Sequence, residues 1–293
     1  MTTADFTIAF HVGAHKTATT HLQRSLQTVS DPLIDAGVRI YGPKHFRLPG
    51  RSVPALFGLK DGPPDPARRS PIDQLALMRK DADRLIFSEE NYIGVLNSPR
   101  RFPVEIRYPH AAERISALSQ SIARPIDVFL GIRNPAPFIS SAYCQMLMGG
   151  RAMPLERFKR INPIHSVNWH DLVLRLRAAP GVGRLVVWRH EDYAAVFSQI
   201  CTELVGAERA DIIAPLPRRI HEGLSAAAVA ETLRRHATGE TEKTGFNMRK
   251  MWPVGPNQPP FDAFDGAAHA QAAAAYTTQT DAIAGMDGVT LLK

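Results

Sequence analysis

Residues 10–23 constrain the fold of this chain more than any other stretch. An apolar run, Phe6 to Val12, leads into a glycine, a lysine and a cluster of threonines, and a helical pattern then starts at Leu22 and Leu26. The first N–H groups of a helix lack partners within the helix and lie at the positive end of its dipole, so they bind anions well. A lysine adds a full charge there, and threonine hydroxyls add donors. The pattern therefore predicts a phosphate-binding loop between a strand and a helix.

The loop differs from the Walker A motif, which requires G-x-x-x-x-G-K-[ST]. Here His15 precedes the lysine and no glycine stands at position 10. The sequence H-K-T-A-T-T-x-L-Q instead resembles the 5′-phosphosulfate loop of sulfotransferases that use 3′-phosphoadenylyl sulfate (PAPS). Ala18 stands where that family usually has glycine. The resemblance implies that PAPS and its product PAP are bound by the loop residues His15, Lys16, Thr17, Ala18, Thr19 and Thr20.

A second phosphate motif follows another apolar run, Ile126–Ile132. Arg133-Asn134-Pro135 comes directly after this run, and Ser141 lies six residues further on, within a predicted helix that Pro135 starts. An arginine at the end of a strand offers a bidentate fork to an anion. In the sulfotransferases that the chain resembles, the R-[ND]-P-x-x-x-x-x-S-x-Y arrangement holds the 3′-phosphate, which implies that role for Arg133 and Ser141.

The run Leu185–Trp188 with the following Arg189–Tyr193 is a weaker point of resemblance to the same family. Acidic residues favour helix starts, so we interpret Glu191 and Asp192 as structural residues that cap the next helix or pair with an arginine.

Sulfuryl transfer passes through a loose, in-line transition state in which charge builds on the leaving oxygen. We predict that Lys16 stabilises this charge and that no metal is required. The acceptor must lose a proton to a base. Glu89 and Glu90 follow the apolar run Leu85–Ser88, at the sheet edge where ligands bind. Glu89 is the predicted base and Glu90 the alternative; His11 and His15 flank the loop but are not assigned a catalytic role.

Bulk composition favours a globular protein with an anionic ligand. The 293 residues are 44% hydrophobic and 22% charged, with a net charge of +7 and two cysteines. The charge would also suit nucleic acid, but no zinc-ligand spacing or long basic run supports that partner. We find neither a signal sequence nor a stretch apolar enough to span a bilayer, and we expect a soluble cytoplasmic protein.

Strand and helix patterns alternate along the chain, which predicts an α/β fold with a central parallel sheet flanked by helices, like that of P-loop NTPases and sulfotransferases. We expect one domain over residues 1–293, with a loop insertion at 42–71 that binds the acceptor and an irregular segment at 238–266. The predicted strands are Thr7–Val12, Val38–Tyr41, Leu85–Ser88, Ile126–Ile132 and Leu185–Trp188. The predicted helices are Thr19–Ser30, Ile72–Arg84, Ala111–Ile122, Pro135–Met148, Val167–Ala178, Ala194–Val205, Ser225–His236 and an alanine-rich segment, Ala267–Ala275.

The residues together predict a PAPS-dependent sulfotransferase, of a bacterial type, acting on a hydroxyl or amine. The acceptor class stays open among carbohydrate, lipid and small molecule, as does the oligomeric state. One alternative is a nucleotide-dependent kinase, for which Asp192 is the candidate metal ligand. Another is an inactive relative that only binds PAP. Lys243-Thr244-Gly245 and Arg249-Lys250 are alternative candidates for a basic segment that closes over the nucleotide.

Overall fold

Six parallel strands form a single sheet at the centre of the fold. The computed structural model describes residues 6–60, 69–97, 103–217, 223–240 and 242–293. Within these residues the sheet has the order β2-β3-β1-β4-β5-β6, and all neighbouring strands run parallel. The strands are β1 (Thr7–Gly13), β2 (Val38–Tyr41), β3 (Arg84–Ser88), β4 (Ile126–Ile132), β5 (Val182–Arg189) and β6 (Val289–Leu292).

Helices connect the strands, as parallel pairing requires. They are α1 (Thr19–Thr28), α2 (Ser30–Asp35), α3 (Pro43–Phe46), α4 (Val53–Leu56), α5 (Pro71–Arg79), α6 (Ala111–Ile122), α7 (Pro135–Met148), α8 (Leu155–Ile161), α9 (Trp169–Arg177), α10 (Phe197–Val205), α11 (Ala207–Ala210), α12 (Ala226–Ala237), α13 (Thr244–Met251) and α14 (Gly266–Ala284). Single 3₁₀ turns occupy Glu90–Tyr92, Ile164–Ser166 and His190–Asp192.

The sheet is covered on both faces, which explains why its central strands are mostly apolar, with His11 of β1 and Asp127 of β4 among the polar exceptions. Alternate residues of β1 face opposite layers: Phe10 belongs to one hydrophobic cluster and Ala9 to the other. The same alternation places Phe87 and Ile86 of β3 in different clusters. Buried on both sides, the sheet is a rigid support for the loops at its edge.

The carboxyl ends of the strands meet at one edge of the sheet. β1 lies between β3 and β4. The chain first adds β2 and β3 on one side of β1 and then adds β4, β5 and β6 on the other side. Ligands of open α/β sheets bind at such a point, where the strand order changes direction. The loops after β1 and β4 flank this point, and the turn after β3 lies on the other side of β1.

The predicted α/β class with a parallel sheet is confirmed. The five predicted strands exist, and β6 was missed. The predicted helix Ile72–Arg84 was too long, because the chain leaves α5 at Arg79 and Arg84 already pairs in β3. The segments 42–71 and 238–266 contain α3, α4 and α13, although residues 61–68 and 241 lie outside the described residues. The single domain stays a prediction. Among the described helices, none combines the length and apolarity needed to cross a membrane.

Candidate active site

The loop after β1 has the backbone of an anion-binding nest. Lys16 and Ala18 both have positive φ, at 63° and 67°, on either side of Thr17. Ala18 is also the N-cap of α1. In the part of the chain that the structure describes, the amides of residues 16–20 donate no hydrogen bond. Successive free N–H groups in such a turn, at a helix start, form a concave site for an anion.

Two of the loop threonines use their hydroxyls to hold the loop itself. Thr17 Oγ1 donates to the carbonyl of Ala14 at 2.6 Å, and Thr19 Oγ1 donates to the same carbonyl at 3.2 Å. Thr20 makes no side-chain hydrogen bond within the described residues. The backbone amides and Thr20 are therefore the groups that the loop leaves available to a ligand.

Strand β4 holds the loop from the side. The Ala14 amide donates to the carbonyl of Gly131 at 2.8 Å. A side chain at position 131 would not fit, because its Cβ would lie 2.8 Å from Thr17 Oγ1. Gly13 is equally constrained, with φ 98° and a built Cβ 2.9 Å from that of Glu90. Two glycines thus allow the loop to lie against both neighbouring strand ends.

Arg133 lies beside the loop. Its Nη1 donates to the carbonyl of Lys16 at 3.0 Å, while its buried Nε has no partner in the described structure. Its own carbonyl accepts a 2.6 Å hydrogen bond from Trp169 Nε1. Burial lowers the pKa of Arg133, and nearby Glu191 opposes that shift. A half-buried guanidinium whose Nε has no partner among the described residues is able to bind an anion.

Cations gather around Lys16. Its Nζ donates to Gln145 Oε1 of α7 at 3.4 Å. Burial lowers the pKa of Lys16, and the charges of Arg133 and Arg249 lower it further. Arg249 comes from α13, and its Nη1 lies 3.8 Å from Met148 Sδ. The structure thus places Arg249, one of the C-terminal candidates, near the loop. Ser141 is half-buried in α7, and its hydroxyl makes no hydrogen bond within the described residues.

Glu191 and Asp192 have structural partners, but only Asp192 pairs with an arginine and neither side chain caps the next helix. Glu191 accepts hydrogen bonds from the Asn134 amide at 2.9 Å and from the Tyr276 hydroxyl at 3.0 Å. It thereby ties α14 to the start of α7. Asp192 forms an ion pair with Arg189 at 2.7 Å. No group of three or more His, Cys, Asp or Glu side chains in the described ranges is arranged to hold a metal ion.

Glu89 and Glu90 lie after β3 and share one arginine. Arg47 donates from Nη2 to Glu89 Oε1 at 2.8 Å, from Nε to Glu89 Oε2 at 3.0 Å, and from Nη2 to Glu90 Oε1 at 2.8 Å. Glu89 is 5% exposed. Although burial raises the pKa of Glu90, the charge and hydrogen bonds of Arg47 outweigh burial and hold that pKa below its ordinary value. Nothing in the local sequence links Arg47 to the glutamates, so sequence reasoning missed it.

Histidines connect the carboxylates to the loop. His15 lies between Tyr108 and Asn91: its Nδ1 is 3.0 Å from the tyrosine hydroxyl, and its Nε2 is 3.0 Å from Asn91 Oδ1. His11 Nδ1 lies 2.8 Å from Ser88 Oγ. Burial lowers the pKa of His15 and brings that of His11 to about 4. Both rings are therefore neutral at pH 7.

An open cavity of about 700 Å³ adjoins the glutamates. Its walls come from α3, α4, α6 and the 3₁₀ turn after β3. The lining mixes apolar with polar and charged side chains. The apolar residues are Phe46, Val53, Pro54, Leu59, Tyr92, Val95 and Ala117, and the polar or charged residues are Arg47, Ser52, Lys60, Glu89, Asn91, His110, Glu113 and Arg114. Glu89 forms part of this wall, whereas Glu90 packs beside Gly13.

The fold and the loop define a parallel α/β protein with an anion-binding loop at the carboxyl edge of its sheet. No family model and no curated protein matches the chain. Among solved structures, it is similar to a sulfotransferase from Alicyclobacillus acidocaldarius, with 18% identity, a TM-score of 0.42, and coverage of 83% of this chain and 94% of that chain. It is also similar to retinol dehydratase in complex with androsterone and the inactive cofactor PAP, with 12% identity, a TM-score of 0.33, and coverage of 96% and 81%. At TM-scores this low, the likeness defines neither the site nor the activity of this chain.

Proposed function

We propose that this protein is a sulfotransferase that transfers the sulfuryl group of PAPS to a hydroxyl, or an amine, of an acceptor. One observation carries the proposal: a free-amide nest with Lys16 and a half-buried arginine with an unused Nε donor flank the same point of the sheet, with a carboxylate pair across β1. The two anion sites match a donor that carries a 5′-phosphosulfate and a separate 3′-phosphate. The carboxylate pair supplies the base that the acceptor needs.

The nucleotide would be held by the chain at two places. The free amides of Lys16, Thr17, Ala18, Thr19 and Thr20 and the hydroxyl of Thr20 would bind the 5′-phosphate. The His15 amide, which donates to the Tyr108 hydroxyl at 3.4 Å, would join them by exchanging that partner for the phosphate. Arg133, with its unpartnered buried Nε, and Ser141 would bind the 3′-phosphate. Arg249 lies close enough to affect Lys16 and would add charge on the open side.

Lys16 and Glu89 would carry the chemistry. Lys16 stabilises the charge that builds on the leaving oxygen, a role in which an ammonium suffices because a sulfuryl group carries less charge than a phosphoryl group. Glu89, at the cavity wall, takes the proton from the acceptor. Glu90 is the alternative base, because it lies close enough to Lys16 for its negative charge to raise the pKa of that lysine. The acceptor would lie in the cavity beside Glu89, whose mixed lining can contact both apolar and polar parts of an acceptor.

The kinase alternative requires a free metal ligand after a strand. Asp192, its only candidate in the sequence, is neutralised by Arg189 in an ion pair of 2.7 Å. That pairing favours the sulfotransferase.

Transfer of radiolabelled sulfate from PAPS to pooled acceptors tests the proposed activity. We expect a labelled product with the wild-type chain and a loss of ~10²–10⁴-fold with Glu89→Gln, which keeps the shape and removes the basicity. Glu156→Gln, at an exposed glutamate paired with Lys159, is the control and should retain full activity. PAP binding without transfer to any pool would indicate an inactive nucleotide-binding protein.

A further inference from the structure

The two glutamates and Arg47 have the geometry of a single unit. One nitrogen, Arg47 Nη2, donates to both Glu89 Oε1 and Glu90 Oε1, at 2.8 Å each. The two carboxylate oxygens can therefore be no further apart than twice that distance. Glu89 also accepts from the Asn91 amide at 3.1 Å, which fixes its orientation.

Taking the proposed function as given, we propose that Glu89, Glu90 and Arg47 act as one proton-accepting unit, in which Glu90 and Arg47 are positioning residues that set the basicity of Glu89. The unit holds two negative charges and one positive charge. When Glu89 takes a proton, Glu90 still neutralises the guanidinium.

A glutamate paired with one arginine alone would be a poor base, because its protonation would break that ion pair. A second carboxylate keeps the guanidinium paired when the first is protonated and, by like-charge repulsion, raises the proton affinity of the pair.

Other charged groups around the unit do not replace Arg47. His11 of β1 and His15 of the loop face Glu90, and burial lowers the pKa of both. Lys16 and Tyr108 also interact with Glu90, and Gln23 Nε2 of α1 approaches Glu90 Oε2 at 3.5 Å. Arg47 is the cation in direct contact with both carboxylates, and its side chain, 46% exposed, belongs to the residue that directly follows α3, on the acceptor side.

In the transfer step the unit accounts for one proton. The acceptor oxygen forms its bond to sulfur, the bond from sulfur to the bridging oxygen breaks, and that electron pair stays on the phosphate of PAP. The acceptor proton goes to Glu89. Arg47 remains paired with Glu90 through the step.

Titration of ¹³Cδ-labelled glutamates by NMR, on the full chain without ligand, tests the unit, with Glu89→Gln to assign the Glu89 signal. Glu90→Gln removes a negative charge and should lower the Glu89 midpoint by about one pH unit or more. Arg47→Gln should raise it by about as much. Arg47→Lys keeps the charge but loses the fork, so it should leave the midpoint nearer to wild type while turnover falls.

The chain offers a matched control on α12. Arg235 there bridges Glu231 and Glu240 at 2.7 Å and 3.0 Å, the same arrangement at the protein surface. Glu240→Gln should leave the Glu89 midpoint unchanged. A Glu89 midpoint that moves with neither Glu90→Gln nor Arg47→Gln overturns the unit; if one variant fails to fold, the other decides.

The same variants separate this inference from the proposed function. In PAPS-dependent transfer, the acid limb of the pH–rate profile should follow the NMR midpoints. If the Glu89 midpoint moves in opposite directions in Glu90→Gln and Arg47→Gln but the chain transfers no sulfate, the proton-accepting unit is supported and the sulfotransferase proposal is refuted. If the chain transfers sulfate from PAPS but the Glu89 midpoint moves in neither variant, the proton-accepting unit is refuted and the sulfotransferase proposal stands.

Discussion

At the scale of single residues, Ala18 adopts a left-handed backbone conformation that is unfavourable for alanine and not for glycine. The left-handed backbone at φ 67° costs an L-residue about 1–2 kcal/mol, and part of this is offset because glycine is more flexible when unfolded. We expect Ala18→Gly to raise the free energy of unfolding by about 1 kcal/mol in urea denaturation. Ala275→Gly, at an exposed position inside α14, should lower it by a similar amount. Equal losses in both variants would contradict the left-handed conformation.

Lys16 should affect turnover much more than affinity. If its charge acts on the leaving oxygen, Lys16→Ala lowers kcat by ~10²–10³-fold, as for other donors to a transition state, while the Kd of PAP changes only a few-fold. Steady-state kinetics and calorimetry measure the two effects. Lys159→Ala, at a surface ion pair, should change neither. Proportional losses of rate and affinity would make Lys16 a ground-state anchor.

At the scale of elements, β4 supports the nucleotide loop through Gly131. An added Cβ would lie 2.8 Å from Thr17 Oγ1 and 3.1 Å from Trp188 Nε1, so the loop must move. We expect Gly131→Ala to cost about 1–3 kcal/mol of stability and to weaken PAP binding. Gly255→Ala, where a Cβ meets no atom within 4 Å, is the control. Unchanged stability and affinity in Gly131→Ala would show that the loop does not depend on this contact.

Elements with strong local signals were predictable from the sequence. The buried central strands are runs of mostly apolar residues. The phosphate-binding loop directly follows β1, and Arg133 directly follows β4. β6, Val289–Leu292, was missed, although β2, which is equally short and also at a sheet edge, was predicted. Arg47 was missed because it meets Glu89 and Glu90 only through the packing of α3 against the end of β3. The inward hydrogen bonds of Thr17 and Thr19 also depend on the folded loop.

At the scale of the whole molecule, buried histidines make stability depend on pH. Burial holds the pKa of His11 at about 4 in the folded state, below its ordinary value of 6.5. The unfolded chain therefore binds more protons between these values, and stability falls as pH drops from about 6.5 towards 4.

His11→Gln should flatten that part of the profile. The depressed pKa corresponds to about 3 kcal/mol in the wild type at the low end of the window. Urea midpoints at pH 7 and pH 5 measure the difference. His165→Gln, at an exposed histidine, should keep the wild-type slope. A wild-type stability that is equal at both pH values would refute the buried neutral His11.

The proposed site binds the 5′-phosphate and the 3′-phosphate of the nucleotide at separate places. Calorimetric titration with PAP and with AMP, which lacks the 3′-phosphate, tests this most directly. We predict that PAP binds ~10–100-fold more tightly, as expected for charge-assisted hydrogen bonds to the additional phosphate. Arg133→Lys and Ser141→Ala should reduce this ratio while AMP affinity stays constant. Equal affinities of the wild-type chain for PAP and AMP, or tighter binding of ATP with magnesium than of PAP, would contradict the account.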